Sequence, residues 1–157
     1  MPNWPTLSRQ APNLGLLGAI LALATLGVAV SIYLTIVHYD EGLLVCGLSD
    51  CHTVQASSYA ELAGIPVALL GLGMYVTVLA LAAARLLRPS SLVLGTMASF
   101  SLTLAGVLFA GYLTYIELYV LEAICQWCVV SAVLTTALLI CESILVRRLL
   151  ALPPEPV

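Results

Sequence analysis

Four stretches of this chain hold no Asp, Glu, Lys or Arg: Gln10 to Val37, Leu62 to Ala84, Pro89 to Ile116 and Ala123 to Cys141. Crossing a hydrocarbon core takes about 20 apolar residues of helix. Inside the core, backbone N–H and C=O groups find no partner but one another, so each run predicts a transmembrane helix. Composition agrees: 62% of the 157 residues are hydrophobic and 8% charged, against roughly 45–50% and 25% in soluble domains. The fold class is therefore an all-α membrane protein, a bundle of four transmembrane helices, and a soluble fold around a large buried core is excluded.

The few charges orient the bundle. There is no Lys, and the five Arg are Arg9 before the first helix, Arg85 and Arg88 between the second and third, and Arg147 and Arg148 after the fourth. With four spans all five fall on one side, which the positive-inside rule makes cytoplasmic. Asp40, Glu41, Asp50, Glu61, Glu117 and Glu122 fall on the other. Both termini are expected inside, with a long outer loop over about residues 39–63 and a short one from about Glu117 to Ala123. The domain plan is a cytoplasmic arm over residues 1–13, the four-helix domain over 14–150 and a tail over 151–157. A cleaved signal peptide is the competing reading of the N-terminus, but the first apolar run is far longer than the roughly 7–15 residues of a signal h-region. No internal repeat and no phosphate-binding Gly loop is present.

Topology places Cys46 and Cys51 in the long outer loop and Cys125 and Cys128 at the outer end of the fourth helix. Two thiol pairs thus meet on one face. Cys141, 13 residues past Cys128, lies about 20 Å further along a helix and reads as a buried structural Cys. A structural staple explains neither pair well. A Cys46–Cys51 bridge would enclose only four residues, and loop-closure stabilisation grows with loop size. Cys125 and Cys128 already lie one helical turn apart. A C-x-x-C at a helix start suits exchange chemistry, because unpaired N–H groups and the helix dipole favour a thiolate. Two rivals stand beside redox function: capture or transport of a soft metal ion by four thiols and His52, and a structural subunit with incidental disulfides.

The order of features resembles a known family. CGLSDC (Cys46 to Cys51), then Val54, Ser57 and Tyr59 in CHTVQASSY, then GIPVALLGLGMY (Gly64 to Tyr75) and YIELYVLEAICQWC (Tyr115 to Cys128) are similar to the bacterial homologues of vitamin K epoxide reductase over most of the chain. The resemblance implies a four-helix bundle around a quinone, menaquinone or ubiquinone, and a membrane thiol-disulfide oxidoreductase supporting extracytoplasmic disulfide formation in a bacterial plasma membrane. It assigns Cys46 to exchange with an external thioredoxin-fold protein, Cys51 to relay, Cys125 to receive the relay and Cys128 to contact the quinone. Ser57 aligns with a family serine near the active site and is a second candidate for quinone binding. No metal is implied. Many homologues carry a fused thioredoxin-like domain; this chain stops at Val157, so the expected partner is a separate, DsbA-like protein. Two positions depart from the animal enzymes: Ala132 stands where they carry a tyrosine, and Val67 where they carry an asparagine.

The remaining polar and aromatic residues have plainer expectations. His52 reads as an exposed loop histidine, His38 as interfacial, and Glu117 and Glu122 as solvated loop acids. Trp127, Tyr112, Tyr115 and Tyr119 fit an aromatic belt. Ser131 is expected to bond its own helix backbone. Gly64-Ile65-Pro66 reads as the start of the second helix with Pro in its first turn, preceded by a short interfacial helix in ASSYAEL. Gly71, Gly73, Gly106 and Gly111 predict close helix packing.

Overall fold

The computed structural model describes residues 14–47, 50–88 and 91–151. The arm carrying Arg9 and the tail after Ala151 lie outside the described residues. Four long helices are each apolar enough to cross a membrane: α1 (Leu14–Tyr39), α3 (Val67–Leu87), α4 (Leu92–Tyr119) and α5 (Gln126–Leu150). A five-residue helix, α2 (Cys51–Gln55), and a two-stranded hairpin, β1 (Glu61–Leu62) and β2 (Ile65–Pro66), lie in the loop between α1 and α3. Each long helix packs on two neighbours, α1 on α3, α3 on α4, α4 on α5 and α5 on α1, closing a ring.

One stripe per helix faces inward. On α1 the buried residues are Leu17, Ile20, Ala24, Gly27, Ser31, Leu34 and Val37, spaced by three and four as the 3.6-residue turn requires. On α3 they are Tyr75, Val78, Ala82 and Arg85, and on α5 Thr135, Leu138, Glu142 and Leu145. In lipid the outside is as apolar as the core, so polarity and size rather than hydrophobicity distinguish the inner face. α4 shows this: its inner face begins with Gly95, Thr96, Ser99 and Thr103. Tyr75 joins α3 to α5, its hydroxyl lying 2.7 Å from Thr135 Oγ1 and 3.1 Å from Ser131 Oγ while donating to the Ser131 carbonyl at 2.9 Å. Ser131 thus bonds a neighbouring helix through its side chain, which the sequence reading had not placed there. Gly27 admits the Tyr75 ring, since a Cβ there would collide with it.

The helices run past the predicted limits because two of the charges cancel. Arg85, expected in a cytoplasmic loop, is wholly buried in α3, and so is Glu142 in α5. The guanidinium donates to both carboxylate oxygens at 2.7 and 2.9 Å, to Ser99 Oγ at 3.1 Å, to Thr96 Oγ1 at 3.4 Å and to the Leu81 carbonyl at 3.2 Å. Paired this way, a charge is tolerated at membrane depth. Of the four glycines expected at close approaches, Gly106 meets Met74 and Thr135, Gly71 makes ordinary contact with Ser31, and a Cβ at Gly73 or Gly111 would meet nothing. Cys141 is half-buried against the core cluster around Leu138.

The outer loop differs from expectation in one further respect. The residues Ala63 and Gly64 have φ of +53° and +78°, the two positive values of a type I′ hairpin turn. That turn pairs Glu61 with Pro66 and Leu62 with Ile65. Ile65-Pro66 is therefore a strand rather than a first helical turn, and Pro66 stands as the N-cap of α3. In ASSYAEL the expected interfacial helix is reduced to a 3-10 turn over Ser58–Ala60, and its last two residues are β1.

Candidate functional site

The loop after α1 folds over one end of the bundle. Cys46 and Cys51 are joined by a disulfide, with Cα atoms 6.2 Å apart. Asp50, between them in sequence, caps α2: its carboxylate accepts from the Thr53 hydroxyl at 2.7 Å and the Thr53 N–H at 3.3 Å, and these bonds hold its pKa below the usual carboxylate value. The cap fixes Cys51 as the first residue of the helix, where it is wholly buried, while Cys46 keeps part of its surface exposed.

The second pair starts α5. Cys125 is the N-cap in an extended conformation and its carbonyl accepts the first helical bond, from the Val129 N–H at 3.1 Å. Cys128 follows one turn later. Both are thiols. A hydrogen bond from the Cys128 thiol brings the Cys125 pKa down to about 7, helped by the backbone N–H groups of Cys128 and Trp127 and opposed by burial and the neighbouring Glu117. Exposed N–H groups at a helix start do this wherever a thiol caps one.

The two pairs come together. Cys51, Val54, Ala123 and Cys125 form one buried cluster, with Leu44, Cys46, Leu121, Trp127 and Cys128 packed against it. The middle residues of C-Q-W-C hold the loop there. Trp127 Nε1 donates to the Val45 carbonyl at 3.0 Å and Gln126 Nε2 to the same oxygen at 3.3 Å; the Gly47 N–H donates to Gln126 Oε1 at 3.4 Å. From α1, the Tyr33 hydroxyl accepts the Val45 N–H at 2.9 Å and donates to the Leu43 carbonyl at 3.3 Å, and its ring tilts over Trp127 with centroids 4.8 Å apart. Trp127 is thus a loop anchor rather than part of an aromatic belt. Tyr112, Tyr115 and Tyr119 do project outward, all more than half exposed.

Behind the cluster a cavity of about 320 Å³ opens between the helices. Its wall is mostly apolar, built from Leu34, Val54, Val67, Met74, Leu102 and Phe109 among others, and it also carries Cys128, Ser57, Gln55, His38 and Glu117. Ser57 donates its hydroxyl proton to the Val54 carbonyl at 2.7 Å. Gln55 Nε2 is buried without a hydrogen-bond partner. Such a donor, at the edge of an apolar hollow, is matched to a ligand oxygen. The match to a known family model runs over residues 18–143 and is described as the vitamin K epoxide reductase family.

The chain belongs to the vitamin K epoxide reductase family. It is a multi-pass membrane protein of a thiol oxidoreductase family whose members act with quinones. No curated protein matches it.

Within this family frame two site residues escaped the sequence reading, and one was misplaced. Gln55 and Tyr33 carried no signal, since neither sits in a spaced pattern with the cysteines. Glu117 was expected as a solvated loop acid, yet it is buried near the last turn of α4. Its Oε2 accepts the Cys125 N–H at 3.0 Å, and Glu117 shares the cavity wall with Cys128. The turn after it explains the fit: Leu121 N–H bonds the Ile116 carbonyl, Ala123 N–H bonds the Glu117 carbonyl, and Glu122 takes φ +49°, which folds Cys125 back onto the end of α4. Glu122 and His52 are exposed, and His38 on the cavity wall lies 3.2 Å from Glu61 Oε1.

Proposed function

We propose that this protein passes electrons from a separate thioredoxin-fold, DsbA-like partner through Cys46 and Cys51 to Cys125 and Cys128 and on to a quinone. The observation that carries the reading is the placement of the four cysteines. They share one cluster, with Cys46 toward water and Cys128 on the wall of an apolar cavity.

The cavity suits a quinone ring: about 320 Å³ of mostly apolar wall with the unpartnered Gln55 amide as donor to a carbonyl oxygen. Ser57 and Cys128 complete the contact set. A quinone bound there, menaquinone or ubiquinone, supplies a two-electron sink. The rest is thiol chemistry. A partner thiolate attacks Cys46, and Cys51 leaves as a thiolate. The partner's second thiol closes its own disulfide and frees Cys46. Cys51 attacks Cys125 of the inner disulfide, expelling Cys128 as a thiolate on the cavity wall. Cys46 then closes on Cys51 and releases Cys125, and the inner pair reoxidises. The direction depends on potentials, at about 30 mV per 1.4 kcal/mol for a two-electron couple. By the Arg distribution, the site lies on the extracytoplasmic side of a bacterial plasma membrane with both termini cytoplasmic, and the redox domain spans residues 14–150.

Two variants test this. Cys46→Ala should stop oxidation of a protein dithiol yet keep part of the quinone reduction driven by a small dithiol, which can reach the half-buried Cys128. Cys128→Ala should stop both. Equal loss of both activities in Cys46→Ala would overturn the delivery role of the loop pair, and quinone reduction surviving in Cys128→Ala would overturn the role of the inner pair.

A further inference from the structure

We propose that Glu117 is the proton carrier of the Cys125–Cys128 pair, taking the last thiol proton as the pair oxidises and passing it into the cavity. This rests on the quinone reading above. Three observations meet at this one side chain. Glu117 is buried, with 5% of its surface exposed. One carboxylate oxygen is fixed by the Cys125 N–H at 3.0 Å. The same group lines the cavity wall together with Cys128. A carboxylate so placed is tied to the first residue of the thiol pair on one side and opens on the acceptor's space on the other, the placement that general acid–base transfer requires.

The balance identifies the step. Before the inner pair closes, Cys125 carries the thiolate and Cys128 the remaining proton. As the S–S bond forms the two sulfurs give up two electrons, and Cys128 must lose that proton at the same moment. Glu117 is the carboxylate that shares the wall with it; the other titratable groups there are His38, Tyr59 and Tyr75, on α1, the loop and α3, of which His38 already faces Glu61 and Tyr75 gives its hydroxyl proton to the Ser131 carbonyl. Glu117 then gives that proton up into the cavity and returns to carboxylate; a quinone bound there would be the two-electron acceptor, its second proton coming from water.

Glu117→Gln separates carrying from holding. Glutamine keeps an oxygen to accept the Cys125 N–H but cannot take a proton. Steady-state quinone reduction by Glu117→Gln should fall about a hundredfold, the size of a typical general acid–base contribution, while Glu117→Asp should recover part of it. The second readout needs no quinone: infrared difference spectra between the reduced and oxidised inner pair should show a carboxylic C=O band that shifts in deuterated water and vanishes in Glu117→Gln. A wild-type protein that reduces no quinone but shows the band would sink the quinone reading and leave the proton carrier standing. Absence of the band, or quinone reduction by Glu117→Gln within about twofold of a working wild type, would overturn the carrier. A rate loss without the band would also overturn it, assigning Glu117 to holding Cys125 alone.

Discussion

Trp127→Phe should weaken the docking of the redox loop without disturbing the thiols. The indole N–H donates to the Val45 carbonyl at 3.0 Å, and phenylalanine keeps a ring for Tyr33 to pack on while removing that donor. Val45 then retains the longer Gln126 bond at 3.3 Å and the Tyr33 bond to its N–H. A net hydrogen bond contributes about 0.5–1.5 kcal/mol. At 1.4 kcal/mol per factor of ten, the docked loop should lose about 2- to 12-fold in population. The assay uses a Cys46→Ala, Cys128→Ala, Cys141→Ala background, in which Cys51 and Cys125 form the one remaining pair. Titrating their disulfide against a glutathione redox buffer gives an effective molarity that reports docking directly. Trp127→Phe should lower it by that factor. Adding Gln126→Leu, which also removes the acceptor of the Gly47 N–H, should lower it further, though not additively because both residues serve one carbonyl. An unchanged effective molarity in the double substitution would refute the idea that C-Q-W-C holds the loop, and failure of Cys51 and Cys125 to pair at all would refute the assigned order of the relay.

The buried ion pair makes a stability prediction: Glu142→Leu strands a wholly buried guanidinium and should cost about 3–5 kcal/mol, whereas Arg85→Met with Glu142→Leu should restore most of it. Unfolding in mixed micelles reads this out, and a double variant no more stable than the single would reject the pairing argument. With the loop cysteines replaced, alkylation of Cys125 should rise about tenfold per pH unit below its pKa of about 7 and level off above it, because the depressed pKa leaves the reactive thiolate present on the alkaline side. Cys128→Ala should move that midpoint upward; a midpoint that stays put would show that the Cys128 thiol is not its main cause. A membrane-impermeant thiol reagent applied to intact cells after reduction should label Cys46, and labelling only in broken cells would reverse the proposed sidedness.

The four spans were legible because lipid imposes one rule on every residue of a run, and charge-free length reveals it. What the sequence hid are interactions that cancel in pairs. Arg85 and Glu142 each ended a predicted helix, yet α3 continues to Leu87 and α5 to Leu150, since a bidentate pair neutralises both charges and no composition window joins residues 57 positions apart. Glu117 was hidden for a related reason. It is eight residues from Cys125 with the end of α4 between them, so no single helix relates the two, and the left-handed turn at Glu122 brings them together. The cysteines were legible because C-x-x-C at a helix start has few other uses. The loop's own structure was not: Cys51 opens a five-residue helix through the Asp50 cap, and the Ala63-Gly64 turn replaces an expected helical start with a hairpin.

The arrangement of the sulfurs also bears on where charge rests during a relay. Cys46 is partly exposed, whereas Cys51 and Cys125 are wholly buried in a cluster with Val54 and Ala123. Burial alone would push a thiolate outward, toward the more exposed Cys46, because desolvation disfavours the charged form. The start of α5 works against that. The Cys128 thiol and the N–H groups of Cys128 and Trp127 together outweigh burial and hold the Cys125 thiol well below its ordinary pKa. Charge arriving on the buried sulfurs is thereby stabilised at the inner pair, beside the cavity, and an exchange from Cys51 to Cys125 ends with the negative charge on that pair rather than in the loop. Removing Cys128 should therefore do more than delete the leaving sulfur of the handoff: it should raise the Cys125 pKa, so that in the alanine variant negative charge is favoured on the more exposed loop sulfurs over Cys125.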